Sequence, residues 1–99
     1  MKRGGCVYIM ANPANTATYI GVTSELYARV GKHKAKEYKD SHTAKYNITK
    51  LVYYIGFHHI EDAIAEEKRI KGMSRKKKYL LVSSMNPGWR DLTEDVADW

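Results

Sequence analysis

Glu67 is the residue whose type and position fit least well with a purely structural role. Ile60, Ala63, Ile64, Glu67 and Ile70 or Lys71 recur at helical spacing, which predicts a helix over 60–71 and turns Glu67 onto its apolar face. A carboxylate there is costly unless it pairs with a cation or binds a metal ion. Its neighbour Glu66 points away and reads as a surface residue. Beyond them Lys68, Arg69, Lys71, Arg75, Lys76, Lys77 and Lys78 form the steepest positive field in the chain. That run suits phosphate contact, and it also suits a solvated helix face.

A second set of reactive side chains lies near the N-terminus. Val7-Tyr8-Ile9 and Tyr19-Ile20-Gly21 flank a polar turn from Ala11 to Thr16, the pattern of a β-hairpin. Alternation puts Tyr8 on the face opposite Val7 and Ile9, and Tyr19 opposite Ile20. A helix follows, with Thr23 or Ser24 as the expected N-cap and Glu25 in its first turn. Leu26 and Val30 turn inward, and Arg29 and His33 ride beside the same seam.

The remaining elements position these residues. Glu37 to Lys50 is polar and reads as a long loop. Leu51 to Phe57 is the clearest strand, apolar and rich in β-branched and aromatic residues, and belongs beside the hairpin. Gly72 ends or bends the Glu67 helix, and Ser74 caps a third helix from Arg75 to Ser83 or Ser84. Asn86-Pro87-Gly88-Trp89 is a turn, and the acidic tail from about residue 91 ends in a short helix or frays.

Composition narrows the class. Ninety-nine residues, 43% hydrophobic and 28% charged, describe one folded domain with one modest core. No stretch approaches the ~18 apolar residues of a membrane span. The five residues Cys6 to Met10 behind the basic N-terminus are too few for a secretory core. A single cysteine permits no internal disulfide and points to a reducing, cytoplasmic setting. Four of the eleven acidic residues lie beyond residue 90, and all seventeen Lys and Arg lie before Asp91, leaving residues 1–90 at +10. Such an excess fits a polyanion, nucleic acid ahead of an anionic membrane surface.

Taken together, the chain resembles the GIY-YIG nuclease superfamily, in particular its small stand-alone bacterial members. Cys6-Val7-Tyr8 and Tyr19-Ile20-Gly21 are its two half-motifs, with Cys6-Val7 where Gly-Ile names the family. Leu26-Tyr27-Ala28-Arg29-Val30 with His33 matches its Arg-bearing helix. Ala65 to Lys71 matches its Glu-bearing helix, and Asn86 to Leu92 the ending of the stand-alone group. Met73 stands where relatives often carry an aromatic residue, a change of packing rather than chemistry.

The resemblance implies an α+β fold, a small three-stranded antiparallel sheet flanked by helices in the order β-β-α-β-α-α, as the elements also read. It implies metal-dependent hydrolysis of phosphodiester bonds in DNA, with RNA as a further substrate class, and a role in repair or recombination. Glu67 with waters would hold Mg²⁺ or Mn²⁺, and Arg29 would clamp the scissile phosphate. Tyr8 would be the general base. A phenol titrates near ~10 and needs nearby positive charge for that role, which Arg29 and the cation would supply. Tyr19 would position water or phosphate, and His33 would orient Tyr8 or relay its proton. His42 is the alternative to His33 as the family histidine, and Asn86 a further candidate. A binding module that kept the fold without turnover, and an adaptor docking on acidic protein or ribosomal RNA, are the competing readings. Specificity would come from this domain, a protein partner or self-association.

Overall fold

Every residue of the first strand, β1 (Gly5–Ala11), is buried, which requires cover on both faces of its sheet. The structure, a computed structural model, describes residues 4–36 and 42–99. β1 is the middle strand, flanked antiparallel by β2 (Thr18–Thr23) and β3 (Lys50–Phe57). The hairpin loop is pinned by Asn12, whose Oδ1 accepts from the backbone N–H groups of Thr16 (2.8 Å) and Ala17 (2.9 Å). Asn15 takes the left-handed conformation, with φ 58°, which asparagine tolerates better than most residues.

Alternation along β1 divides the core. Val7 and Ile9 pack with Ala63 and Ile70 of α3 (Ile60–Lys71) and Val82 of α4 (Arg75–Met85). Cys6, Tyr8 and Met10 pack on the other face with Leu26 and Val30 of α1 (Leu26–Lys34), and with Leu92 and Val96 near the C-terminus. The β1–β3 register slips between Ile9 and Met10. An inserted residue of this kind puts two neighbours on one side, which is why Val52 and Tyr53 both join the α3–α4 face while Leu51 joins the α1 face.

The order is β-β-α-β-α-α, with two additions. Within the expected loop of 37–50, a single turn of helix, α2 (His42–Lys45), precedes β3. The C-terminal tail closes in a 3₁₀ turn, Thr93–Val96. It is docked there: Leu92 N–H donates to Leu51 O (2.7 Å), and Asp91 Oδ1 accepts from Leu51 N–H (3.3 Å) and Thr93 N–H (3.0 Å).

Two local expectations are corrected. Glu25, not Thr23 or Ser24, holds the cap position of α1, without a side-chain bond. The Thr23 hydroxyl accepts from Glu25 N–H (3.0 Å) instead, a turn that sets up the helix from outside it. Ile64 is 38% exposed, because the seam of α3 follows Ile60, Ala63, Glu66/Glu67 and Ile70. Ser74 does cap α4, accepting from Lys77 N–H at 3.2 Å. No helix among the described residues is long and apolar enough to cross a membrane.

Candidate active site

Tyr8 reaches its position by lying across the neighbouring strand. Its partner in β2 is Gly21, and a Cβ added there would stand 2.5 Å from the Tyr8 hydroxyl and 2.6 Å from Cζ. Any side chain at 21 would displace the ring, so the glycine of the second half-motif is a packing requirement of the tyrosine in the first.

The buried hydroxyl meets His33 Nε2 at 3.0 Å, and His33 Nδ1 meets the Thr43 hydroxyl at 3.2 Å. Tyr19 completes an aromatic triangle, its ring centroid 6.1 Å from Tyr8 and 5.2 Å from His33. Burial, then the positive charge of Arg29, holds the His33 imidazolium below its usual pKa. At neutral pH the ring is therefore uncharged. In the tautomer whose Nδ1–H donates to Thr43, Nε2 accepts the Tyr8 O–H.

Arg29 is half-buried beside this group and makes no ion pair among the described residues. A sheltered guanidinium with open donors is a natural phosphate clamp. Four of the five expected residues, Tyr8, Tyr19, Arg29 and His33, thus share the α1 face.

Glu67 lies on α3, which packs against β1 and β2 through Ala63 and Ile70. Its side chain is 15% exposed, and Lys71 is 3.5 Å from Oε1, a loose pair within one helix. Glu66 is not the plain surface residue its position predicts. It is 19% exposed and bidentate to Arg69, at 2.6 and 2.7 Å. Arg69's hydrogen bond holds its carboxyl low, and burial followed by Glu66 pushes the Tyr53 hydroxyl up. Periodicity could not separate the two glutamates, because neither lies squarely inside the seam.

The basic run wraps the α3–α4 corner. Arg69 and Lys71 face carboxylates on their own helix, and an Arg75 guanidinium nitrogen donates to Thr16 O at 2.7 Å. Lys68, Lys76 and Lys77 are exposed, and Lys78 is half-buried. Asn86 is buried and fully engaged: Nδ2 donates to Val52 O (3.2 Å) and Arg90 O (2.8 Å), and Oδ1 accepts from Arg90 N–H (3.2 Å). It locks the turn that carries Trp89 at φ 51°. His42 opens α2, and its side chain lies outside the described residues.

Two contributors escaped sequence reasoning. Thr43 sat in a polar stretch without periodicity and gave no signal. Gly21 did carry one, since a glycine inside a strand often marks a close approach.

The family model described as the GIY-YIG catalytic domain matches residues 4–80. The chain belongs to the GIY-YIG family and carries its nuclease-type fold. Among solved structures it is similar to the UPF0213 protein BH0048 from Bacillus halodurans, determined by solution NMR. The two share 29% identity over 91% of this chain and 94% of that one, with a TM-score of 0.56. No curated protein matches the chain.

Proposed function

We propose that the chain is a divalent-metal-dependent endonuclease that hydrolyses phosphodiester bonds in DNA, acting on branched or interrupted structures of repair or recombination. The observation that carries this reading is the buried Tyr8–His33 hydrogen bond beside a half-buried Arg29 that makes no ion pair among the described residues.

The chain's own residues divide the work. Arg29 binds the scissile phosphate and stabilises the charge that grows on its oxygens. Tyr19 orients the attacking water. Tyr8 takes a proton from that water as its own hydroxyl proton passes to His33 Nε2; the water oxygen attacks phosphorus, and the P–O bond opposite it breaks, its oxygen leaving as an alkoxide that solvent protonates. Thr43 fixes the imidazole so that Nε2 faces Tyr8.

Among the described residues no three His, Cys, Asp or Glu converge as a metal cage. The donor set is the carboxylate of Glu67, whose neighbour Glu66 is taken up by Arg69. That fits Mg²⁺ or Mn²⁺, hard ions that keep waters and take substrate oxygens as ligands. Glu67 would hold the ion, which when bound supplies positive charge to the phosphate and leaving oxygen.

The test incubates purified protein with branched, flapped, nicked and single-stranded DNA and matching RNA, with and without Mg²⁺ or Mn²⁺, beside Glu67→Ala. Metal-dependent cutting by the wild type, lost in the variant, is expected. Cutting that survives Glu67→Ala would falsify the assignment. Salt-sensitive binding without cutting would replace it with the binding module.

A further inference from the structure

The hairpin tip and α4 enclose a groove on the other side of the sheet from Tyr8. Its deep end is a notch of about 70 Å³ walled by Thr16, Thr18, Arg75, Lys78, Tyr79 and Trp89. Tyr79 and Trp89 form its aromatic wall, on which a ligand base can lie. The notch opens into a shallow groove of about 440 Å³ that passes Ala17 and ends at Tyr46.

The wall is built to receive a ring. Tyr79 stacks on Trp89 with centroids 5.3 Å apart and planes 26° from parallel. Trp89 is buried in the core and its indole N–H donates to Ser83 Oγ at 3.1 Å, so it backs Tyr79 rigidly. Tyr79 nevertheless stays 56% exposed, and with one face on Trp89 that exposure falls on the other. Arg75, Lys78 and Tyr79 are spaced i, i+3 and i+4, so the cations and the ring share one face of α4. Arg75 gives one guanidinium nitrogen to Thr16 O and keeps further donors for a ligand. At the far end Tyr46 is 47% exposed, with Lys45 Nζ 5.5 Å from its ring centroid. Among the described residues no carboxylate lines either part.

We infer that this groove binds an unpaired nucleic-acid strand, with a base stacked on Tyr79 and phosphates held by Arg75 and Lys78. Alternating ring platforms and cations are what a single strand needs, since each base offers a π-face and each link a negative charge. A duplex buries its base faces in its own stack and offers Tyr79 nothing. An acidic peptide would satisfy the cations and leave the ring idle. The groove's floor, Ala17 and Thr18, runs directly into Tyr19, so a strand anchored here is led toward the candidate active site. The inference rests on the nucleic-acid reading above, and narrows its substrate to one with an unpaired arm.

Binding in EDTA separates the two. An oligothymidylate of about a dozen residues is titrated into Trp99→Phe protein, in which Trp89 is the only tryptophan. Fluorescence quenching and tight binding are expected, unchanged by Tyr8→Phe even though that variant should not cleave. Tyr79→Ala should weaken strand binding about five- to a hundredfold, Tyr79→Phe should restore it to within about twofold, and neither should alter binding of a blunt duplex. Arg75→Gln with Lys78→Gln should lower the salt slope by about 0.7 per lost phosphate contact. Equal strand affinity in wild type and Tyr79→Ala, or displacement by polyglutamate as readily as by the oligonucleotide, overturns the inference. Absence of cleavage under Mg²⁺ would leave it standing and count against the nuclease reading alone.

Discussion

Tyr8 and Ile9 are adjacent in β1 and equally buried, yet their surroundings have little in common. Ile9 faces α3 and α4 in a largely apolar cluster of Val7, Val52, Ala63, Ile70 and Val82 that also holds the Tyr53 and Trp89 rings. Tyr8 faces α1, where its hydroxyl, the His33 imidazole and the Thr43 hydroxyl form one chain of hydrogen bonds. The first face can tolerate changes of shape that keep its volume. The second is a buried polar network in which each member is needed to satisfy the next. A strand covered on both sides can thus hold an apolar core on one face and a buried, hydrogen-bonded hydroxyl on the other.

Two substitutions should break the comparison in opposite directions, and they carry the largest effects. Tyr8→Phe keeps the ring and removes the proton path. Cleavage should fall about 100-fold or more, whereas stability should drop only by roughly 1 to 3 kcal/mol from the unpaired imidazole nitrogen. Ile70→Ala should cost about 2 to 5 kcal/mol in chemical denaturation and leave the turnover of the folded fraction unchanged. If both variants lost stability and activity in the same proportion, the two faces would not be separable.

Gly21→Ala sharpens the point, because it adds one methyl group to the polar face. Overpacking against the Tyr8 ring should cost about 1 to 3 kcal/mol and move the hydroxyl from His33. Cleavage should fall with it, although position 21 is itself buried and carries no functional group. A variant of wild-type melting temperature and activity would show that the ring can move aside freely.

A smaller effect follows from His33. Its folded pKa lies below the unfolded value of about 6.5. Above that pH neither state binds the proton, and the linkage contributes nothing. As pH falls from about 6.5 toward the folded pKa, the unfolded chain takes up a proton that the folded chain resists, so stability declines. Arg29 drives the shift in the same direction as burial. Unfolding free energies from pH 8 to 5 should slope downward in the wild type and more gently in His33→Gln. Cleavage should fail over the same acidic limb, because a protonated Nε2 cannot accept from Tyr8.

The order of elements and the α1 face were legible in the sequence because each rests on short-range periodicity. Tyr8 opposite Val7 and Ile9, and Leu26, Val30 and His33 along one seam, follow from strand and helix repeats alone. The partners of these residues were not legible. Thr43 comes from a polar stretch and meets His33 only because α2 folds back, and the tie from Tyr8 to Gly21 is set by cross-strand register. Glu66 shows the limit of helical periodicity: 100° separates it from Glu67, and both fall on the shoulder of the seam, equally sheltered.

The smallest expected effect concerns the junction of the two faces at the C-terminus. Asp91 joins the end of α1 through Lys34 to the start of β3 and the 3₁₀ turn, accepting also from Leu51 and Thr93. Burial pulls its carboxyl upward, but the bonds from Lys34 and Thr93 outweigh that and hold it below the usual range. A carboxylate held low contributes stability that is full above about pH 3.9 and is lost as pH falls through the folded value. The site is part-exposed, so the gain is screened. Asp91→Ala should cost about 1 kcal/mol at neutral pH and flatten the acid limb of the stability curve. Leu92 and Val96 cover the Tyr8 face from this side, so a loosened tail should first raise amide exchange there and leave α3 and α4 unchanged. Equal loosening of both faces would mean that the tail braces the whole sheet, not the face that carries Tyr8.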